Sequence, residues 1–382
     1  AQHLKALADL AAAPARIVTT NARPPVGSPN LIISNEAAAA VKLPGAGEST
    51  SPRAGVQPAY AEVAKANPGK MFVISCDLDP STKLDKAASI VGKGYHVEMS
   101  IQEQVSTMIA NGIAMAGDGP RLVVFSTFAA FFEGIAREGL EMWRYHRNLT
   151  GVNEGLNVTF HMSHVGGCTG RDHFTGWSLD WITLAMGYLP YLHRFYAPAD
   201  ARAAFIAIRD LAAHYGGHLI GIPRDNLPTL TKQDSNEPLW QANDAWQAVT
   251  PYRTYTGATK AILVIGAPAF LCGEAAEVLN QHGEAVDVLI INGLPIDPTA
   301  MTSIFAKYTS GLVTVEDGII GTRSVGLRGF ASLIASNAGP MNVPVAHIGI
   351  TDPRIAPSEG HHEVWAHFGI TKDAIVKAVQ SL

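Results

Sequence analysis

The sequence contains little cysteine, little charge and no long hydrophobic run. Its three cysteines, Cys76, Cys168 and Cys272, are far apart and odd in number, which argues against a disulfide framework and a CxxC metal site. Apolar runs such as residues 261–265 are much shorter than the roughly 20 residues that cross a bilayer. These absences predict a soluble protein of the reducing cytoplasm with no membrane partner.

Positive charge is also scarce. The chain has 28 basic and 33 acidic residues, a formal net charge of -5, and so lacks the basic surplus that binds a phosphate backbone. We therefore expect no nucleic-acid partner. Residues 1–13 contain no basic stretch followed by an apolar run and a small-residue cleavage site, so we expect no signal peptide.

Apolar residues, by contrast, make up 47% of the 382 residues. That is enough for two cores, because single domains usually stop growing near about 250 residues. Short apolar strands alternate with helical patterns, which predicts an α/β fold of two doubly wound domains with mostly parallel sheets. We expect an N-terminal arm over residues 1–50, a first domain over 51–235, a linker over 236–258 and a second domain over 259–382.

The strand and helix signals divide between these two domains. Buried strands are predicted at 71–75, 121–125, 158–160, 218–222, 262–265, 286–291, 312–315 and 345–350. The clearest helical patterns are predicted at 102–116, 130–145, 198–215 and 372–382.

Six short segments in register carry a family resemblance. They are Ser51 to Ala54, Cys76 to Ser81 (CDLDPS), Glu103 with Met108 to Ala116, Ser126 to Phe128 (STF), Pro223 to Pro228 (PRDNLP), and His367 to Val379. In this order they resemble the C-terminal half of the transketolase family, its pyrimidine-binding and C-terminal domains, in a split-subunit form. The resemblance covers roughly residues 51 to 382.

The resemblance implies a thiamine diphosphate site. Glu103 stands where a family glutamate hydrogen-bonds the pyrimidine ring of the cofactor, and Phe128 and Phe131 stand at two aromatic positions that wall this ring. The role of Glu103 requires a protonated carboxyl, which burial favours. The family's third aromatic position falls on Gly134. Without the resemblance, Glu103 is typical of an acidic residue at a helix N-terminus, and the phenylalanines are typical of residues in a hydrophobic core.

Substrate residues follow from the same resemblance. Positions that bind a sugar phosphate in the family are occupied here by Arg53, Ser81, His164 and Arg224; arginine suits this role because its planar fork pairs with phosphate oxygens. Taken singly, each is more typical of a surface ion pair. Asp172 matches an acidic residue that contacts a sugar hydroxyl.

The segment 170–177 departs from the family pattern. Gly176 replaces a histidine that contacts the donor substrate, and a glycine has no side chain with which to donate or accept a hydrogen bond. His173 can reach the same space and is our second candidate catalytic residue; a structural role is its alternative. The adjacent histidines His361 and His362 have no acidic or cysteine partner at metal-ligand spacing, and we expect them at the surface.

We predict no metal site in this chain. Gly117, Asp118 and Gly119, with Asn148 further on, match a cofactor-metal motif in spacing, but they precede a strand and indicate a turn. The resemblance then implies that Mg²⁺ or Ca²⁺ is held by a separate diphosphate-binding subunit, an N-terminal transketolase-like chain, in a heterotetramer in which this chain also dimerises.

Three functions remain open at this point. The first is transfer of a two-carbon ketol unit between a ketose and an aldose, both small sugars that can carry phosphate. The second is the role of a beta subunit of a 2-oxoacid dehydrogenase, because such subunits have the same domain pair. The third is a non-catalytic assembly subunit, against which Glu103 and the two phenylalanines argue.

Overall fold

The computed structural model describes residues 31–116, 121–150, 156–169, 178–322 and 324–382, with the backbone alone described over 146–150. Two mixed sheets organise these residues, and both are parallel except for one edge strand each. Helices and apolar side chains cover both faces of each sheet, as buried parallel strands require. The predicted α/β architecture with mostly parallel sheets is therefore confirmed.

The first sheet has seven strands. Their order across the sheet is Gly293–Leu294, Arg194–Tyr196, His218–Ile222, Val158–Ser163, Leu122–Phe128, Met71–Ser75 and His96–Glu98. The helices that accompany it are Arg53–Ala66, Asp79–Thr82, Asp85–Val91, Glu103–Met115, Ala129–Phe131, Arg137–Thr150, Trp181–Tyr188 and Ala201–Ala213. Successive side chains point to opposite faces: Val123 and Phe125 pack on one face, Leu122 and Val124 on the other.

The second sheet has five strands. Their order is Val345–Ile350, Gly311–Ile319, Lys260–Ile265, Val286–Ile291 and Val249–Arg253. Its helices are Ala269–Gln281, Pro298–Lys307, Gly329–Ala338, His361–Phe368 and Lys372–Gln380, with a short 3₁₀ turn at Gly339–Met341. Two small antiparallel pairs complete the structure, Ser49–Thr50 with Leu227–Pro228 and Gly321–Thr322 with Gly326–Leu327.

The segments predicted as arm and linker contain ordered elements. Leu31 and Ile33 are buried in the core of the first domain, and the helix Asn35–Ala39 follows, capped by the Ser34 hydroxyl. The segment 236–258 contains the strand Val249–Arg253, which pairs antiparallel with the second sheet. No helix among the described residues is long and apolar enough to cross a membrane.

The two domains meet around Asp317. This fully buried carboxylate accepts the backbone N–H of Gly167 at 2.9 Å with both oxygens, and Trp181 Nε1 donates to its carbonyl oxygen at 2.9 Å. Burial raises the pKa of Asp317 to about 6, although the Gly167 hydrogen bond opposes the shift. Gly166 lies beside the same carboxylate with a φ of +61°, a conformation that glycine adopts without a Cβ penalty.

We predict that Gly166→Ala destabilises the protein. A Cβ at this position would lie 2.3 Å from Asp317 Oδ2, and the positive φ adds backbone strain, so we expect a loss of at least about 1–3 kcal/mol in the free energy of unfolding. Gly187→Ala is the matched control, because it lies in the helix Trp181–Tyr188 with nothing within 4 Å of its added Cβ and should stabilise by about 0.5–1 kcal/mol. Urea unfolding measures both; equal effects would contradict the prediction.

Candidate active site

The candidate site lies at the carboxyl edge of the first sheet. Phe128 pairs with Ser163, and Ser163 pairs with Ile222 in the parallel ladder. The residues that follow these strands therefore emerge side by side, His164 next to Phe128 and Arg224 beyond them. Open α/β sheets bind their ligands at this edge.

Glu103 is buried at the first position of the helix Glu103–Met115, with only 2% of its surface exposed. The Thr127 hydroxyl, on the neighbouring strand, donates to its Oε1 at 3.3 Å. The helix N-terminus adds a positive dipole beside the carboxyl group. Nearby, burial and the charge of Glu103 raise the pKa of Cys76 to about 11. Glu103 is thus a buried carboxyl group that contacts Thr127, the residue before Phe128 on its strand.

The predicted aromatic wall forms a stack of three rings. Phe128 lies between Phe131, with ring centroids 5.7 Å apart, and His164, with centroids 3.9 Å apart. Phe128 itself is nearly covered, whereas Phe131 is half-buried and offers the more accessible ring. A Cβ at Gly134 would meet no atom within 4 Å. Space is therefore open where the family's third aromatic ring would stand.

A π-helical turn, Phe132–Ala136, follows this wall and contains a half-buried acid, Glu133. Such turns often occur at functional sites. Burial, with a contribution from the charge of Asp180, raises the pKa of Glu133 to about 9, so this carboxyl holds a proton at neutral pH. Glu133 was not among the residues predicted for the site. Its position, two residues after Phe131, was the available sequence signal.

Arg53 contacts two of the other three predicted phosphate-site residues, Ser81 and His164. Arg53 donates from Nη1 to the Ser81 carbonyl at 2.8 Å, and the same nitrogen lies 3.2 Å from His164 Nε2. Because arginine only donates, His164 must accept at Nε2. Arg53 also donates from Nε to the Ser51 hydroxyl at 3.0 Å. These contacts fix the guanidinium at the sheet edge.

Arg224, the fourth, lines the same pocket as Arg53. This pocket of about 540 Å³ lies between the domains. From the first domain it is lined by Ser49, Arg53, Arg224, Asp225 and Asn226, and from the second by Gly360, His361, His362 and Glu363. Two arginines facing one polar pocket suit an anionic group such as a phosphate.

The expectation that His361 is a surface residue is wrong. Only 7% of it is exposed, and both its backbone N–H, at 2.8 Å, and its Nδ1, at 3.0 Å, contact Asp225 Oδ2. Burial alone would raise the pKa of Asp225, but the hydrogen bonds from His361 outweigh it and the pKa lies below its ordinary value. The two residues are 136 positions apart, so no local spacing indicated this contact between domains.

Some predicted residues lie outside the described part of the chain. Asp172, His173 and Gly176 fall within 170–177, and Asp118 falls within 117–120. The side chain of Asn148 is likewise outside it. Their predicted roles stay predictions.

Residues 48–229 match the family model described as the transketolase pyrimidine-binding domain. A 1-deoxy-D-xylulose-5-phosphate synthase of Corynebacterium glutamicum is 23% identical over 294 residues, which cover 74% of this chain and 42% of the relative. A synthase of the same name from Streptomyces coelicolor is 26% identical over 281 residues, covering 72% and 38%.

Two solved structures show the same fold. A split-gene transketolase, described as an inactive β4 tetramer, superposes with a TM-score of 0.66 at 21% identity and covers 87% of this chain and 98% of its own. A transketolase from Campylobacter jejuni has a TM-score of 0.66 at 17% identity and covers 88% and 47%. Residues 48–229 therefore match the transketolase pyrimidine-binding domain, and the chain shares its fold with these transketolase structures. It spans about two fifths of the length of the curated relatives that it matches.

The neighbouring rings Phe131 and Phe132 provide a test of which aromatic belongs to the site. Phe132 is fully buried in the core, whereas Phe131 is half-buried at the sheet edge. We expect Phe132→Ala to cost about 3–5 kcal/mol of unfolding free energy and Phe131→Ala to cost less than half as much. Denaturant unfolding of the two variants checks this. A larger cost at Phe131 would place that ring in the core instead.

Proposed function

We propose that this chain is the pyrimidine-binding subunit of a thiamine-diphosphate-dependent transferase, which moves a two-carbon ketol unit between a ketose phosphate and an aldose phosphate. The observation that carries the proposal is the juxtaposition at one sheet edge: the buried acid Glu103, the ring stack of Phe128 and Phe131, and the pocket lined by Arg53 and Arg224. An acid, a flat apolar wall and a polar pocket with two arginines are the three features that such a reaction needs from this half of the site.

The residues present fit the pyrimidine half of thiamine diphosphate. A heterocycle stacks on flat aromatic faces, and the open space next to Gly134 leaves room for it beside Phe131. Thr127 occupies Oε1 of Glu103, so Oε2 is the oxygen assigned to carry a proton to a ring nitrogen. When bound, the cofactor supplies the chemistry that stabilises a carbanion.

This chain's own residues bind, orient and hold protons in the proposed reaction. Glu103 presents Oε2 to a nitrogen of the bound ring and so favours one tautomer of it, and Phe131 fixes the plane of the ring. Arg53 and Arg224 bind the phosphate end of the sugar. His164 links the two regions, because it stacks on Phe128 and accepts from Arg53. In the proposed role, Asp172 and His173 contact the sugar itself.

A second candidate reaction comes from the curated relatives. They are named 1-deoxy-D-xylulose-5-phosphate synthases, and the product in that name is also a phosphorylated sugar, so the arginine pocket would serve it equally well. The loss of a donor-contacting histidine at Gly176 also leaves room for a different donor. The 2-oxoacid dehydrogenase alternative gains less support, because it gives no role to the two arginines.

The proposed assembly includes a separate diphosphate-binding subunit, which also supplies the Mg²⁺ or Ca²⁺. Exposed apolar side chains beside the site support a partner: Ile101 is 73% exposed, Val105 44% and Ile135 48%. They lie on or next to the helix Glu103–Met115 and the π-helical turn, which pack together. The split-gene transketolase that shares the fold is itself described as an inactive β4 tetramer, which supports self-association of this chain within a heterotetramer.

We predict that ketol transfer appears only when this chain is mixed with a diphosphate-binding subunit, and that Glu103→Gln then lowers turnover on the order of 10²-fold or more. An amide cannot supply the acid proton that the ring nitrogen requires. Coupled assays for ketol transfer and for formation of a 1-deoxy sugar measure the reaction.

Glu138→Gln is the matched control, because Glu138 is exposed on the neighbouring helix. Thermal unfolding of both variants checks that each remains folded. Wild-type turnover in Glu103→Gln would remove Glu103 from the mechanism, and full activity of this chain alone would refute the split-subunit proposal.

The two pocket arginines generate a separate prediction. We expect Arg53→Ala and Arg224→Ala each to raise KM for phosphorylated sugars, because a lost charge-assisted contact is worth roughly 1.5–3 kcal/mol. KM for unphosphorylated sugars should change little. Arg354→Ala, at a side chain 85% exposed, is the control. Steady-state kinetics with matched substrate pairs gives the answer, and equal effects on both substrate types would assign the arginines a structural role.

A further inference from the structure

Three potential metal ligands converge at the ends of the strands Met71–Ser75 and His96–Glu98. His96 Nε2 lies 2.7 Å from Asp79 Oδ2, and one ligand atom each of Asp79, His96 and Glu98 lies within 4.8 Å of the others. The strands pair in parallel, Val73 with His96 and Ser75 with Glu98. Their register therefore brings His96 and Glu98 beside the segment that begins at Ser75.

Two buried oxygen atoms at this cluster lack a hydrogen-bond partner among the described residues. Ser75 is fully buried, and its Oγ has no hydrogen-bond partner in the part of the chain that the structure describes. The same holds for Asp79 Oδ1, in a residue only 7% exposed. Ser75 lies close to the carboxyl groups of both Asp79 and Glu98. The Ser75 hydroxyl and Asp79 Oδ1 thus lie together at the cluster, and neither has a hydrogen-bond partner among the described residues.

An Asp–His ion pair alone does not account for this arrangement. Buried polar atoms normally find a partner, because leaving one unsatisfied costs roughly 1–3 kcal/mol. The His96 contact satisfies Asp79 Oδ2 only. Glu98 Oε1 accepts the backbone N–H groups of Asp77 at 2.9 Å and Ser100 at 2.7 Å, which holds the carboxylate in place and leaves Oε2 for a ligand.

We propose that Asp79, His96 and Glu98 bind a divalent metal ion, Zn²⁺, with the Ser75 hydroxyl and bound water completing its environment. One imidazole with two carboxylates is a ligand set that Zn²⁺ accepts, at distances of about 2.0–2.2 Å. Small side-chain rotations bring three atoms that now lie within 4.8 Å of one another onto such an ion. This ion is separate from the Mg²⁺ or Ca²⁺ assigned to the partner subunit.

The metal would connect two segments that enter the active site. Asp79 begins the short helix Asp79–Thr82, which contains Ser81, and Glu98 precedes the turn that leads to Glu103. An ion bound at both points fixes the distance between the phosphate-site segment and the acid. No metal site was predicted in this chain, because ligand spacing along the sequence does not indicate one. The pairing of the two strands brings these residues together.

The test is calorimetric titration of the metal-stripped full-length chain with Zn²⁺ alone. We expect one equivalent to bind, with an affinity at least tenfold weaker in His96→Gln and in Glu98→Gln. His282→Gln, at an exposed histidine on the second domain, should bind like the wild type. Glu98→Gln keeps an amide oxygen to accept the two backbone N–H groups, so it reports on the ligand even if His96→Gln folds poorly.

Substitution with Co²⁺ provides a second readout. Its visible absorption should intensify on binding to the wild-type chain, as expected for a site of low coordination number, and should be lost in both ligand variants. Absence of stoichiometric Zn²⁺ binding by the wild type would overturn the proposal. Wild-type affinity in both ligand variants would overturn it too, because the ion would then bind elsewhere.

Discussion

The candidate site depends on the buried contact between Asp317 and the loop that follows the strand Val158–Ser163. Both carboxylate oxygens accept the N–H of Gly167, and Arg224 donates its backbone N–H to the carbonyl of Cys168, in the same loop, at 2.7 Å. The loop is thereby held by the second domain on one side and by the arginine segment on the other. His164 begins this loop, so its stacking on Phe128 and its contact with Arg53 follow from the same constraint.

His164 couples two functions that the sequence treats as separate. Its ring packs on the aromatic wall assigned to the cofactor, while its Nε2 accepts from an arginine assigned to the phosphate. A shift of Arg53 toward a bound phosphate would withdraw that donor and change the hydrogen bonding of a ring stacked on Phe128. Binding of a phosphate in the proposed pocket can therefore change the ring packing on Phe128 through His164 alone.

The sequence predicted the elements that have strong local signals. Continuous apolar runs such as residues 261–265 are strands because both faces are buried, and six motifs in register indicated Glu103 and Phe128. Short strands such as His96–Glu98 and Arg194–Tyr196 were missed because three residues are too few to show a period. The Asp225–His361 pair and the cluster of Asp79, His96 and Glu98 were missed for a different reason. Each forms only when segments that are distant in sequence pack together, so no local pattern predicts it.

The strand Gly293–Leu294 has a consequence for how this chain can be divided. It follows the second-sheet strand Val286–Ile291 in sequence but pairs with Arg194–Tyr196 at the edge of the first sheet, and one apolar core runs continuously through both sheets. A fragment that stopped in the segment 236–258 would lack the last strand of its own sheet and would expose that core. We therefore expect the two domains to fold and unfold together, as a single cooperative unit.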